Sequence, residues 1–177
     1  IWNLVFIQYE RKAGGGLEEL PSKHVDTGMG FERIVSVLQA KQSNYDTDLF
    51  APILAAIVEA TGHPYVPGTP DAIPHQVIAD HIRMLSFAVG DGALPSNLGR
   101  GYVIRRVLRR AARFGRRLGV HEPFLHRLVP AVAGVYRDVF PDLAAHTDHI
   151  QKVIAAEEHS FGRTLDRGIQ LFEEAVT

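Results

Sequence analysis

The hydrophobic pattern changes period along the chain. Over Ile1–Tyr9 (IWNLVFIQY) apolar positions alternate imperfectly and are rich in aromatic and β-branched residues, which predicts a strand. Ala13-Gly14-Gly15-Gly16 predicts a turn, and Leu20–Asp26 a partner strand that completes an antiparallel pair. From Thr27-Gly28-Met29-Gly30 onward the period lengthens to that of a helix, with Phe31, Ile34, Val35 and Leu38 on one face. Helical spacing then dominates. Asp46-Thr47-Asp48 offers an N-cap to a helix ending near Thr61-Gly62, and a Pro-rich loop, His63–Pro74, follows. His75–Val89 predicts a helix with Val77, Ile78, Ile82, Leu85 and Val89 as its stripe; Gly90-Asp91-Gly92 breaks it and Leu94–Gly99 is a loop. Gly101–Leu118 predicts a helix, Pro123 starts another with a kink at Pro130, and Asp148–Val176 predicts one long helix. Its stripe runs Ile150, Val153, Ile154, Glu157, Phe161, Leu165, Ile169, Phe172, and is expected to be core or a packing seam. Trp2 is expected in the core of its strand.

The predicted fold class is mainly α: a short antiparallel β segment followed by a helical domain. The boundary falls between Lys41 and Tyr45, giving residues 1–42 and 43–177. An apolar start without Met and helical spacing up to Thr177 lead to the expectation that the chain is an excised piece of a longer protein.

Composition adds exclusions. At 177 residues, 46% hydrophobic and 22% charged, the chain is of ordinary globular type. The uncharged stretch Ala60–Thr69 is interrupted by Gly62, Pro64, Pro67 and Gly68, so no membrane span or membrane partner is expected. With no cysteine, disulfides and thiolate zinc sites are excluded, and a reducing compartment, the cytoplasm, is the default. Nine histidines lack a third ligand at metal spacing, so no metal site is expected, and the histidines are read as surface or helix-end residues.

Charge is segregated. Residues 1–91 carry 6 basic and 11 acidic side chains, residues 92–121 carry 8 arginines and no acid, and residues 122–177 carry 5 basic and 9 acidic. On a helical wheel over Gly101–Leu118, Val103, Ile104, Val107, Leu108, Ala111, Phe114 and Leu118 fill one arc. Arg105, Arg106, Arg109, Arg110, Arg113, Arg116 and Arg117 fill the other. Like charges at i,i+4 cost about 0.2–0.5 kcal/mol each in a free helix. Nothing acidic within the segment offsets this, and phosphate suits arginine forks, so the face is expected to meet nucleic acid. The bland alternative is a solvated face, or one paired with acids from residues 1–91.

Asp26-Thr27-Gly28-Met29-Gly30 is the second chemical signal. Glycine lets backbone lie against a flat ligand, and Arg33 sits near a helix start, close to where a nucleotide would lie. Alone, a G-x-G is most often a plain turn.

Taken together, these blocks resemble a known family. VDTGMGFERI (Val25–Ile34) resembles motif 3 of class II aminoacyl-tRNA synthetases in the form found in the alanyl-tRNA synthetase family, and IWNLVFIQYER (Ile1–Arg11) the strand before it. SNYDTDLF (Ser43–Phe50), VIADHIR (Val77–Arg83) and LPSNLGRGYVIRRVLRRAARFGRRLG (Leu94–Gly119) resemble later blocks of that family, in the same order. The resemblance covers nearly the whole chain.

What the resemblance implies is specific. The parent reaction activates alanine with ATP and Mg²⁺ and transfers it to tRNA(Ala). Asn3 matches a residue holding the carboxylate of alanine, Val5 a wall of the side-chain pocket, Asp26 the partner of the α-ammonium, and Gly28 a pocket glycine. Gly30 and Arg33 match the ATP site. Asn97 matches an asparagine that reads the acceptor stem's G·U pair, whose guanine 2-amino group is free in the readable minor groove of RNA. Arg100, Arg105, Arg106, Arg109, Arg110 and Arg113 would hold the RNA backbone. The rest of the synthetase chain is an expected partner. Motifs 1 and 2, the editing domain with its zinc ligands, and the DTYGFP block are not in this sequence. The segment by itself is therefore expected to be inactive. Leu98-Gly99 also departs from a more polar family pattern. The alternative reading is a non-catalytic helical RNA-binding module; a helical protein-interaction domain is a third.

Overall fold

The computed structural model describes residues Ile1–Val176. The chain forms two units, Ile1–Thr47 and Asp48–Thr177, with Thr177 itself outside the described residues.

In the first unit, β1 (Trp2–Arg11) and β2 (Leu17–Met29) form an antiparallel ribbon, followed by α1 (Phe31–Leu38). The turn closes through the Lys12 N–H donating to the Gly16 carbonyl at 2.9 Å, with Gly15 at φ +83° as glycine permits. The pairing runs Trp2 with Met29 to Ile7 with His24, then slips, and Tyr9 resumes opposite Glu19. The extra residues on β2 include Pro21, which has no N–H for the ladder. Trp2, expected in a core, is 65% exposed. A two-stranded ribbon has no second layer within its own unit to cover either face.

The second unit is helical: α2 (Ala51–Thr61), α3 (Ala72–Gly90), α4 (Gly99–Arg117), α5 (Val129–Tyr136), α6 (Pro141–Ala145) and α7 (Thr147–Val176). The fold is thus mainly α with a short β segment. Its core joins Ile53 and Ile57 of α2, Ile78, Ile82 and Leu85 of α3, Leu108 of α4, and Ile150 and Ile154 of α7, all fully buried. Every one of these lies on a stripe that the spacing marks as apolar, or inside the short apolar α2.

Boundaries differ from expectation in places. The α3 helix starts at Ala72, because Pro74 falls in the first turn, where its missing N–H costs nothing. Asp46-Thr47-Asp48 does not cap α2, which starts three residues beyond it, at Ala51; instead the buried Thr47 hydroxyl donates to the Asn44 carbonyl at 2.6 Å. Pro130 opens α5 rather than kinking a helix, for the reason that holds at Pro74. His75 sits near a helix end but is fully buried, its two ring nitrogens 3.2 and 3.0 Å from the carbonyls of Asp71 and His63. It ties the Pro-rich loop to α3. In α7 the stripe is buried at Ile150 and Ile154, half-buried at Phe161 and Leu165, and exposed at Ile169 and Phe172. Among the described residues, no helix is long and apolar enough to cross a membrane.

Candidate functional site

The ribbon gathers four of the expected residues. Asn3 faces Gly28 and Val5 faces Asp26 across the two strands. Side chains two apart on a strand, and directly opposite across it, share one face. Asn3, Val5, Asp26 and Gly28 therefore form a single patch of two adjacent cross-strand pairs. A Cβ placed on Gly28 would lie 2.8 Å from Asn3 Oδ1, so the Asn3 carboxamide occupies the space that the glycine leaves. Asp26 Oδ1 accepts from the Thr27 N–H at 2.8 Å, which fixes the carboxylate on its own backbone. The patch therefore presents a carboxylate that attracts a cation, a carboxamide able to donate to an anion, and a small apolar wall. That set complements the two charges and short side chain of a small amino acid.

Gly30 and Arg33 also meet. Gly30 caps the N-terminus of α1 in extended conformation, and a Cβ there would lie 3.2 Å from Arg33 Cδ. The arginine stem thus folds back over the glycine, and its guanidinium stands exposed at the start of the helix.

In the helical unit, the loop before α4 lies against the first turn of that helix. The Ser96 N–H donates to the Gly101 carbonyl at 3.0 Å, and the Ser96 hydroxyl donates to the Leu98 carbonyl at 2.9 Å. A Cβ on Gly101 would stand 2.5 Å from the Leu94 carbonyl oxygen, so only glycine admits this approach. Asn97 and Leu98 are left exposed at the tip.

The arginine arc of α4 is split into two stripes. Arg105, Arg109 and Arg116 turn toward α7. Arg105 Nε lies 3.0 Å from Glu157 Oε1 as an ion pair, although its N–H is not aligned to hydrogen-bond that oxygen. Arg109 Nε donates to the same oxygen at 3.1 Å, and its guanidinium stands 5.1 Å over the Phe161 ring. Arg116 Nη2 donates to Asp166 Oδ1 at 2.7 Å. Arg105 Nη1 also donates to Asn97 Oδ1. Arg106, Arg110, Arg113 and Arg117 recur at i, i+4, i+7 and i+11, are exposed, and have no acidic partner among the described residues; the same holds for Arg100. Arg110 and Arg117 flank the Phe114 ring at 6.0 and 5.3 Å. Val103, placed on the apolar arc by its spacing, is exposed, whereas Ile104, Leu108, Ala111 and Leu118 of that arc are buried.

The acids that meet the arginines thus come from α7, not from residues 1–91. Glu157 did carry a sequence signal, since it is the lone charge in the α7 apolar stripe. Its neighbour Glu158 carried none. Glu158 is buried, its Oε2 accepts from the Leu125 N–H at 3.0 Å, and burial pushes its carboxyl up to about 7. Among the described residues, no group of three or more His, Asp or Glu side chains is placed to hold a metal ion.

Comparison with known proteins adds a family. The profile of the family described as tRNA synthetases class II (A) matches residues 1–177. A protein of Chlorobium chlorochromatii called alanine–tRNA ligase is 57% identical over 99% of this chain. Proteins of the same name from Christiangramia forsetii and Pediococcus pentosaceus are 55% and 48% identical, each over 99% of the chain. The chain spans 20% of the length of each of these relatives.

Proposed function

The chain belongs to the class II (A) tRNA synthetase family, and from that premise we propose that it is the part of an alanine–tRNA ligase that joins an alanine- and ATP-binding ribbon to an acceptor-stem-binding helical unit. The observation that carries the reading is the patch of Asn3, Val5, Asp26 and Gly28, assembled by strand register from pairs 25 and 21 residues apart in sequence.

The chemistry follows from those groups. Asp26 pairs with the α-ammonium of alanine in a charge-assisted hydrogen bond, and the Asn3 N–H₂ donates to its carboxylate. Val5 and the bare Gly28 backbone offer a small apolar surface to the methyl group of alanine. Arg33, with its stem across Gly30, packs on ATP, which enters with Mg²⁺ as substrate. Attack of the alanine carboxylate on the α-phosphorus of ATP forms alanyl-adenylate and releases pyrophosphate. The tRNA 3′-terminal hydroxyl then attacks the adenylate carbonyl and releases AMP. The residues of this chain contribute by positioning and by charge, and no covalent enzyme intermediate is needed.

The helical unit binds the acceptor stem. Arg100, Arg106, Arg110 and Arg113 hold phosphates, while Asn97 at the loop tip accepts from the guanine 2-amino group of the G·U pair. Arg105 and Arg109 share the single carboxylate of Glu157, which offsets half of their combined charge, and contribute less to the phosphate field.

The test is alanine-dependent ATP–pyrophosphate exchange by the full-length protein. Asp26→Asn should raise the KM for alanine by about 10- to 100-fold, the value of one charged hydrogen bond, and leave the KM for ATP near its original value. An unchanged KM for alanine would refute the assignment.

A further inference from the structure

We propose that Glu157 is a positioning residue for acceptor-stem discrimination: acting through Arg105, it fixes the orientation in which the Asn97 carboxamide meets a base edge. The inference rests on the reading of Asn97 given above.

An asparagine at an exposed loop tip has a broad χ2 and presents either its carbonyl or its N–H₂ to a ligand. Reading a guanine 2-amino group requires the carbonyl. Arg105 removes the ambiguity. A guanidinium has only donors, so the Asn97 atom that it meets must be the acceptor, Oδ1. That contact turns the N–H₂ away from Arg105 and leaves Oδ1 one further acceptor position for an RNA donor.

Arg105 can act this way only if it is itself held, since a free arginine loses rotamer entropy on being fixed. Glu157 supplies the hold. Its side chain is only 10% exposed, and one oxygen, Oε1, lies 3.0 Å from Arg105 Nε and 3.1 Å from Arg109 Nη2. Two guanidiniums on one largely covered carboxylate fix its position, and Arg109 is further seated over Phe161. The carboxylate rides on α7, three residues after the fully buried Ile154. A rigid helix thus reaches the loop tip through one carboxylate and one guanidinium. The same pairing offsets part of the charge of Arg105, which weakens its pull toward a passing phosphate.

A carboxylate that merely bound α4 to α7 would affect every RNA alike. A positioning residue affects the ratio between RNAs. The experiment measures kcat/KM for aminoacylation by the full-length synthetase on acceptor-stem minihelices carrying a G·U or a G·C pair. Alanine-dependent ATP–pyrophosphate exchange, which needs no RNA, checks that each variant is folded. Glu157→Ala should lower the G·U over G·C preference about tenfold, and should lower it no further in an Asn97→Ala background. Glu157→Gln keeps Oε1 as an acceptor and should retain most of the preference. Arg105→Lys loses the fork that spans Glu157 and Asn97 together, and should behave like Glu157→Ala. If Glu157→Ala abolishes exchange, Arg105→Lys decides, because it leaves Glu157 its Arg109 partner. A preference unchanged in both Glu157→Ala and Arg105→Lys, or equal losses on both stems, would overturn the positioning role while Asn97→Ala still lowers the preference. If Asn97→Ala leaves the preference intact, the reading of Asn97 fails first and this inference falls with it.

Discussion

Asn3 Oδ1 lies where a Gly28 side chain would begin, 2.8 Å from the position of a Cβ, so each residue defines the other's place across the ribbon. Gly28→Ala should push the Asn3 amide off its patch without breaking the strand pair, because the colliding atom ends a side chain that can rotate. We expect the KM for alanine to rise about tenfold, with the KM for ATP nearly constant. Steady-state exchange kinetics at varied alanine and ATP check this, and equal changes in both constants would show that the whole ribbon has moved.

Gly101→Ala should be more damaging, since the new methyl meets the Leu94 carbonyl oxygen at 2.5 Å and backbone cannot rotate away. The loop bearing Asn97 must lift from α4. We expect aminoacylation of acceptor-stem minihelices to fall at least tenfold while exchange persists, and protease cleavage to increase within residues 91–99. Wild-type aminoacylation by this variant would contradict the described loop packing.

Glu158 gives a pH dependence of known sign. Its carboxyl titrates near 7 in the folded chain against an ordinary value of 4.5, because burial disfavours the charged form more than the N–H groups of Phe124 and Leu125 favour it. The folded value lies above the unfolded one. The stabilisation is therefore complete below pH 4.5 and declines as pH rises through about 7. At ~1.4 kcal/mol per pH unit the decline amounts to about 3 kcal/mol. Amide exchange of the segment around Leu125 in the full-length protein, corrected for intrinsic rates, should lose protection between pH 5 and pH 8. In Glu158→Gln it should be flat across that range, and a wild-type profile that is equally flat would count against a buried titrating carboxyl.

The sequence made much of this legible, and its failures have physical causes. The ribbon, the α3, α4 and α7 helices and the apolar stripes follow from residue spacing, because burial on one face imposes a period that survives in the residues themselves. The 2×2 patch on the ribbon depends on register, and here the resemblance supplied what spacing did not. The partition of the arginine arc was not legible. A wheel shows which residues share a face of α4, but not that α7 crosses part of that face with Glu157 and Asp166. Glu157 stood out as an acid inside an apolar stripe, and that mismatch marks a half-buried ion pair. Glu158 gave no sign, because its role is to accept from the backbone of a distant loop. Trp2 misled because an aromatic strand residue is buried only when a second layer covers it, and its own unit has none.

The labour proposed along α4 and its loop is divided three ways: an outer arginine stripe holds phosphate, an inner one holds protein, and Asn97 reads a base. The most direct measurement is the affinity of full-length synthetase for G·U and G·C acceptor stems at two salt concentrations. Arg106→Ala and Arg110→Ala should each weaken both stems alike and reduce the salt slope by about one unit or less. Arg116→Ala, removing a guanidinium held by Asp166, should leave the slope unchanged. Asn97→Ala should lose discrimination, worth roughly 1–3 kcal/mol in comparable base contacts, with little change in slope. Equal slopes for wild type, Arg106→Ala and Arg110→Ala, together with a reduced slope for Arg116→Ala, would contradict this division of the arginines.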